Sequence, residues 1–261
     1  MPWLRLLGNL WLVLAIGAGH AVAADYKQIA GGHFASVLPA DEKAADMQVA
    51  PYELRVTPVS NAEFLAFVTK STEWQRDRIA RVFADAQYLS HWITSDGIDR
   101  AQRDQPVTHV SWFAAQAFCE SEGARLPTWL EWEFAAAADT ARKDARADPA
   151  WREQILSWYS RPSNSALAAV GGPANVYGIR DLHGLVWEWV DDFNALLVST
   201  DSRDQNDPDR LKFCGAGAMS LRDLNNYAVL MRIAMLSSLK AADTTANVGF
   251  RCTKIGAGEK S

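Results

Sequence analysis

The chain has 261 residues, of which 49% are hydrophobic and 22% charged, and a formal net charge of −5. This composition supplies a full core for one large domain or two small ones and excludes a disordered chain. An acidic, aromatic-rich chain without a basic cluster also argues against nucleic acid and against an anionic membrane surface as partners.

Met1–Ala23 reads as a secretory leader: Arg5 precedes the apolar run Leu10–Gly17, and the small-residue site Ala21-Val22-Ala23 follows. The run is short for a membrane span; an uncleaved N-terminal anchor is the competing reading. Residues 24–261 are then the folded part, in the periplasm or secreted. Of Cys119, Cys214 and Cys252, two can pair in that oxidising compartment. The third is a buried inert thiol, a metal ligand or a reactive thiol.

Tyr26–Leu38 alternates apolar and polar residues on both sides of Gly31-Gly32, which predicts two short strands and a tight turn. Tyr52–Val56 predicts another strand. Ser60 and Glu63 form a capping box before a helix carrying Phe64, Leu65, Phe67 and Val68 on one face. Residues 69–105 carry no motif tied to chemistry and read as a partly helical insertion. Pro106–Val110 is strand-like, Ser111 caps a helix starting at Trp112 with Phe113, Ala117 and Phe118 near one face, and Gly123 suits its end. A second capping box, Thr128 to Glu131, opens a helix that continues through Ala138. Trp129 and Trp132, three apart, share a face of it, which points to core packing.

Tyr177–Asp192, YGIRDLHGLVWEWVDD, packs two tryptophans, a glycine turn and four carboxylates together. Either the acids close around a cation, or they are solvated on a strand whose tryptophans face inward.

Five segments occur in order: IAGGHF at 29–34, PVSNAEFLAFV at 58–68, PVTHVSWFAAQAFCESEGARLPTWLEWEFAAAA at 106–138, YGIRDLHGLVWEW at 177–189 and NVGFRC at 247–252. Together they resemble the formylglycine-generating enzyme, or sulfatase-modifying factor, family, whose wider membership includes non-haem iron enzymes of ergothioneine and pyoverdine pathways. The resemblance implies a single α+β domain of C-type-lectin-like fold, with short strands, two or three helices and much irregular structure. It also implies a Cys119–Cys252 disulfide. It further implies a structural calcium ion held by Asp181, the carbonyls of Gly184 and Val186, and the Glu188 side chain, all hard oxygen donors. Leu185 departs from the family's usual Asn, and Asp191 and Asp192 fall outside the ligand set as solvated acids.

The family's formylglycine chemistry uses copper on a pair of cysteines, and no cysteine stands between Cys214 and Cys252. Two thiolates are what a linear Cu(I) site requires. The remaining histidines, His33, His91, His109 and His183, lack metal-ligand spacing. Soft donors remain at Cys214, Met219, Met231 and Met235, so a copper or catalytic site on Cys214 with Met219 is one reading. Core packing of Met231 and Met235, spaced i, i+4, is the other. CGAGAMS at 214–220 also resembles family members associated with copper nitrite reductases. Two functions follow: a metal-dependent maturation oxidase acting on an exported protein or small molecule, or a non-catalytic lectin-like binding or copper-handling module.

Overall fold

The computed structural model describes residues 24–38, 46–161, 166–196 and 227–256. Its strands are β1 (Tyr26–Ile29), β2 (Gly32–Phe34), β3 (Met47–Val49), β4 (Tyr52–Arg55), β5 (Trp187–Glu188), β6 (Val248–Gly249) and β7 (Thr253–Ile255). Its α-helices are α1 (Asn61–Lys70), α2 (Trp112–Ser121), α3 (Trp129–Ala136), α4 (Pro149–Tyr159) and α5 (Tyr227–Ser237). The result is an α+β fold with short strands and long irregular connections. Among the described residues no helix is long and apolar enough to cross a membrane.

The first and last described strands flank β4 in the main sheet, ordered β1-β4-β7 and antiparallel throughout. The glycine pair between β1 and β2 does not close a hairpin, because β1 pairs with β4 while β2 pairs with β3. Gly31, at φ 67°, instead carries the chain from one sheet to the next against the next ladder's backbone. A Cβ there would lie 2.1 Å from the Val49 carbonyl oxygen, so only glycine fits.

Both capping boxes form, Ser60 with Glu63 on α1 and Thr128 with Glu131 on α3. Phe64, Phe67 and Val68 are buried and Leu65 lies at the edge of that face. The buried stripe of α2 is Ala114, Ala115, Phe118 and Cys119 rather than one led by Phe113. Phe64, Phe118 and Phe250 then pack edge-on and stacked with centroids 5.4–6.0 Å apart. Beside them Cys119 and Cys252, 133 residues apart, are joined in a disulfide with Cα atoms 5.4 Å apart.

Two stretches differ from the sequence expectation. Pro106–Val110 contributes only a bridge from Pro106 to Ser60, because His109 takes φ 51° and a left-handed residue breaks the pleat. Past the end of α1 at Lys70, the stretch to residue 105 is helical only in the 3₁₀ turns Thr72–Trp74 and Arg100–Gln102. It is not an appendage either, since Tyr88, Leu89 and Trp92 are buried in the core.

Candidate functional site

The Tyr177–Asp192 stretch enters the site through a turn organised by Asn175. Its side chain donates to the Ala135 carbonyl and accepts from the amides of Tyr177 and Ile179. Asp181, at φ 61°, then folds back so that its carboxylate accepts from the Gly171 and Gly172 amides at 2.7 and 3.0 Å. Gly184 lies under the indole of Trp158 from α4; a Cβ there would meet the ring at 2.7 Å. That close approach delivers the chain into β5, which runs parallel to β6.

Glu188 and Arg251, one on β5 and one just after β6, form an ion pair buried completely from water. Arg251 donates to the two carboxylate oxygens from Nε and Nη2, each at 2.8 Å. Its remaining donors reach the carbonyls of Arg55, Val56 and Arg180 at 3.1, 3.2 and 2.9 Å, so the whole fork is satisfied. The Trp132 indole adds a third donor to Glu188, at 2.8 Å. One ion pair thereby ties α3, β4, β5 and the 180 turn together. Trp129 and Trp132 sit beside each other, centroids 5.8 Å apart, in the core.

A second guanidinium stands over that pair. Arg232 of α5 is fully buried and its Cζ lies 3.5 Å over the Trp132 ring, a desolvated cation–π contact. Nη2 donates to the Glu188 backbone carbonyl, while Nε and Nη1 have no partner among the described residues. Burial, with the Arg251 charge adding to it, lowers its pKa to about 10. Arg251 already neutralises Glu188, so Arg232 is a spare positive charge held in an apolar setting.

Next to it, His183 Nε2 lies 2.8 Å from the Ala136 carbonyl and Nδ1 lies 3.0 Å from the Tyr159 hydroxyl. The carbonyl can only accept, so Nε2 carries the hydrogen and Nδ1 accepts from tyrosine. Rings of Trp132, Trp151, Trp158 and Tyr159 surround the imidazole at 5.6–6.3 Å. Burial among them lowers its pKa to about 4, and burial raises that of Tyr159 to about 12. Tyr159 also stacks on Trp187 at 4.6 Å. On the other side of His183 and Trp158, a cleft of about 410 Å³ opens between α4 and residues 173–183, with Asp139, Asp148 and Trp151 on its walls. His183, Trp151 and Trp158 give the cleft an aromatic wall beside Asp139 and Asp148, while Arg232 is fully buried and does not line it.

Residues 20–255 match the Sulfatase-modifying factor enzyme 1-like domain of the formylglycine-generating enzyme–sulfatase family. The chain belongs to this family. The formylglycine-generating enzyme of Streptomyces coelicolor is 28% identical over 267 residues, covering 85% of this chain and 84% of that protein. The mouse inactive C-alpha-formylglycine-generating enzyme 2 is 27% identical over 238 residues, covering 69% and 73%. Among solved structures, PvdO from Pseudomonas aeruginosa overlaps 88% of this chain and 94% of its own, with 18% identity and a TM-score of 0.48.

Both carboxylates of the calcium set suggested by the sequence already have protein partners. Glu188 gives its oxygens to Arg251 and Trp132, and a dication would have to share the carboxylate with a guanidinium. Asp181 is occupied in closing its own turn. Among the described residues no three His, Cys, Asp or Glu side chains are grouped to hold a metal. Asp192 is not simply solvated: it is half-buried and accepts from the Trp129 amide at 2.7 Å, which supplements the cap of α3. Cys214 and Met219 lie outside the described residues. Met231 and Met235 are both half-buried, with Met235 packed against the core.

Arg232 and α4 were not legible as site elements in the sequence. The signal for α4 was present in Asp148-Pro149, an N-cap acid before an N1 proline. For Arg232 it was a single arginine inside the apolar run Ala228–Leu236.

Proposed function

We propose that the protein is an exported accessory or maturation factor that recognises another exported protein or a small molecule, and that it does not generate formylglycine. The observation that carries this reading is the Cys119–Cys252 bond. It consumes two of the three cysteines, and the lone Cys214 cannot supply the thiolate pair that a linear Cu(I) centre needs. The leader-like Met1–Ala23 supports export, and the lectin-like fold expected from the family suits recognition. A relative at 27% identity is itself named as an inactive formylglycine-generating enzyme.

A second reading keeps metal-dependent oxidation, with Cys214 and Met219 as soft donors to copper. Cys214 favours it, being the cysteine left outside the disulfide. One experiment separates the two. Metal content and intact masses of exported proteins are compared between a strain with the gene, a deletion, and a deletion complemented with Cys214→Ala. Recognition predicts that an exported target changes in the deletion and is restored by the variant. Oxidation through the thiol predicts that the variant fails to restore it. An exported proteome unchanged by the deletion overturns the accessory role.

A further inference from the structure

The cleft beside His183 joins aromatic faces to an excess of negative charge. Its α4 wall presents Trp151, Gln154 and Trp158, spaced i, i+3 and i+7 and therefore on one side of the helix. Both indoles are half-buried. Trp158 is seated on Gly184, and Trp151 meets the His183 ring edge-on with centroids 5.6 Å apart, so the two rings are held in place whether or not a ligand is present. Residues 139–158, which carry this wall, fall between the segments 106–138 and 177–189 that bear the family resemblance.

The charged residues lining the cleft are Asp139, Asp148 and Asp181 against Arg142 alone. Three carboxylates facing one guanidinium leave the cleft negative, and His183 adds no charge because burial lowers its pKa to about 4. Arg142 bridges Asp139 and Asp148, donating to Asp139 from Nε at 2.8 Å and to Asp148 from Nη2 at 2.7 Å. That guanidinium holds Asp139 at about 2 and keeps Asp148 below the usual carboxylate range, so both are ionised at neutral pH.

Every one of these carboxylate oxygens already accepts a hydrogen bond. Asp139 takes the Ala141 and Arg142 amides besides the guanidinium. Asp148 takes the Ala150 amide at 2.9 Å as the cap of α4, and Asp181 takes those of Gly171 and Gly172. Acids engaged in this way supply a field, focused between low-dielectric walls, more than open acceptors. A primary ammonium carries three N–H donors and a tight water shell, and entering the cleft would leave those donors short of partners. A fully alkylated ammonium has no N–H to satisfy and is drawn both by the field and by the indole faces.

We propose that this cleft binds a small organic cation whose ammonium nitrogen is fully alkylated. Its volume of about 410 Å³ suits a small molecule, since such sites run from roughly 300 to 1,000 Å³. The proposal gives the recognition reading a ligand class and rests on it. The deletion experiment above tests that reading, and direct binding tests this site, so each can fail alone.

Calorimetric titration of the full-length exported protein compares three probes of one skeleton: choline, ethanolamine with its primary ammonium, and the neutral carbon isostere of choline. Choline should bind at least about tenfold more tightly than either of the others, as a desolvated cation–π contact predicts. Trp151→Leu keeps apolar bulk but removes the ring face, and should weaken choline about tenfold. Asp148→Asn keeps a good N-cap while removing a charge, and should weaken choline several-fold at low salt and less at high salt. If Trp151→Leu does not fold, Asp148→Asn decides alone. Absence of choline binding, equal binding of the isostere or of ethanolamine, or undiminished binding by the folded variants overturns the proposal.

Discussion

His183 makes stability depend on pH in a way that can be worked through. Its ring donates to the Ala136 carbonyl, accepts from Tyr159 and is enclosed by three tryptophans. Protonation would cost the bond from Tyr159 and place a cation near Arg232. Burial lowers the pKa from 6.5 to about 4. The unfolded chain therefore takes up a proton near pH 6.5 that the folded chain refuses until about pH 4. Stability from this group is complete above pH 6.5 and is lost as pH falls toward 4. A shift of this size, at 1.36 kcal/mol per pKa unit, removes about 3 kcal/mol across that window. The assay is urea unfolding at pH 7, 5.5 and 4 for the wild type and His183→Gln. Glutamine cannot protonate, so the variant starts less stable at pH 7 and loses less on acidification. The difference between the two curves should narrow by about 3 kcal/mol, roughly 1–1.5 M in urea midpoint. Subtraction cancels His91, whose pKa is also lowered to about 4, and Glu133, whose buried carboxyl is raised. Parallel curves would refute the burial of a neutral His183.

Arg251→Met leaves Glu188 charged and buried without its cation, and should cost about 3–5 kcal/mol in urea unfolding; a cost below 1 kcal/mol would contradict the satisfied fork. Thiol titration under denaturing conditions should find one free thiol in protein from the exported fraction, and reduction should lower stability by about 2–4 kcal/mol. Three free thiols would contradict the bond. Treatment with a calcium chelator should leave Tm unchanged, since Glu188 and Asp181 are already engaged; a fall of several degrees on chelation, reversed by Ca²⁺, would contradict that assignment.

Local chemistry was what the sequence displayed best. Ser60 with Glu63 and Thr128 with Glu131 announce helix starts because a cap is made within four residues, and the structure has both in full. Trp129 and Trp132 declare a shared buried face for the same reason. Long-range pairing left no such mark. Glu188 meets Arg251 across 63 residues, so its carboxylate reads as a cation ligand until the guanidinium is seen against it. His109 looks like a strand residue because a left-handed φ depends on its contacts with Leu89 and Thr245, not on its type. Arg232 hides in an apolar helix, where one charge suggests a solvated edge and the packing instead lays it on Trp132.

With Cys119 and Cys252 bonded to each other, Cys214 stands alone, and the proposed recognition role therefore goes without formylglycine formation. Co-expression with a sulfatase, followed by mass spectrometry of the peptide bearing the target cysteine, tests it most directly. The expected result is unmodified cysteine at the level of a control without the protein. Conversion of that cysteine to formylglycine above the control would overturn the proposed role.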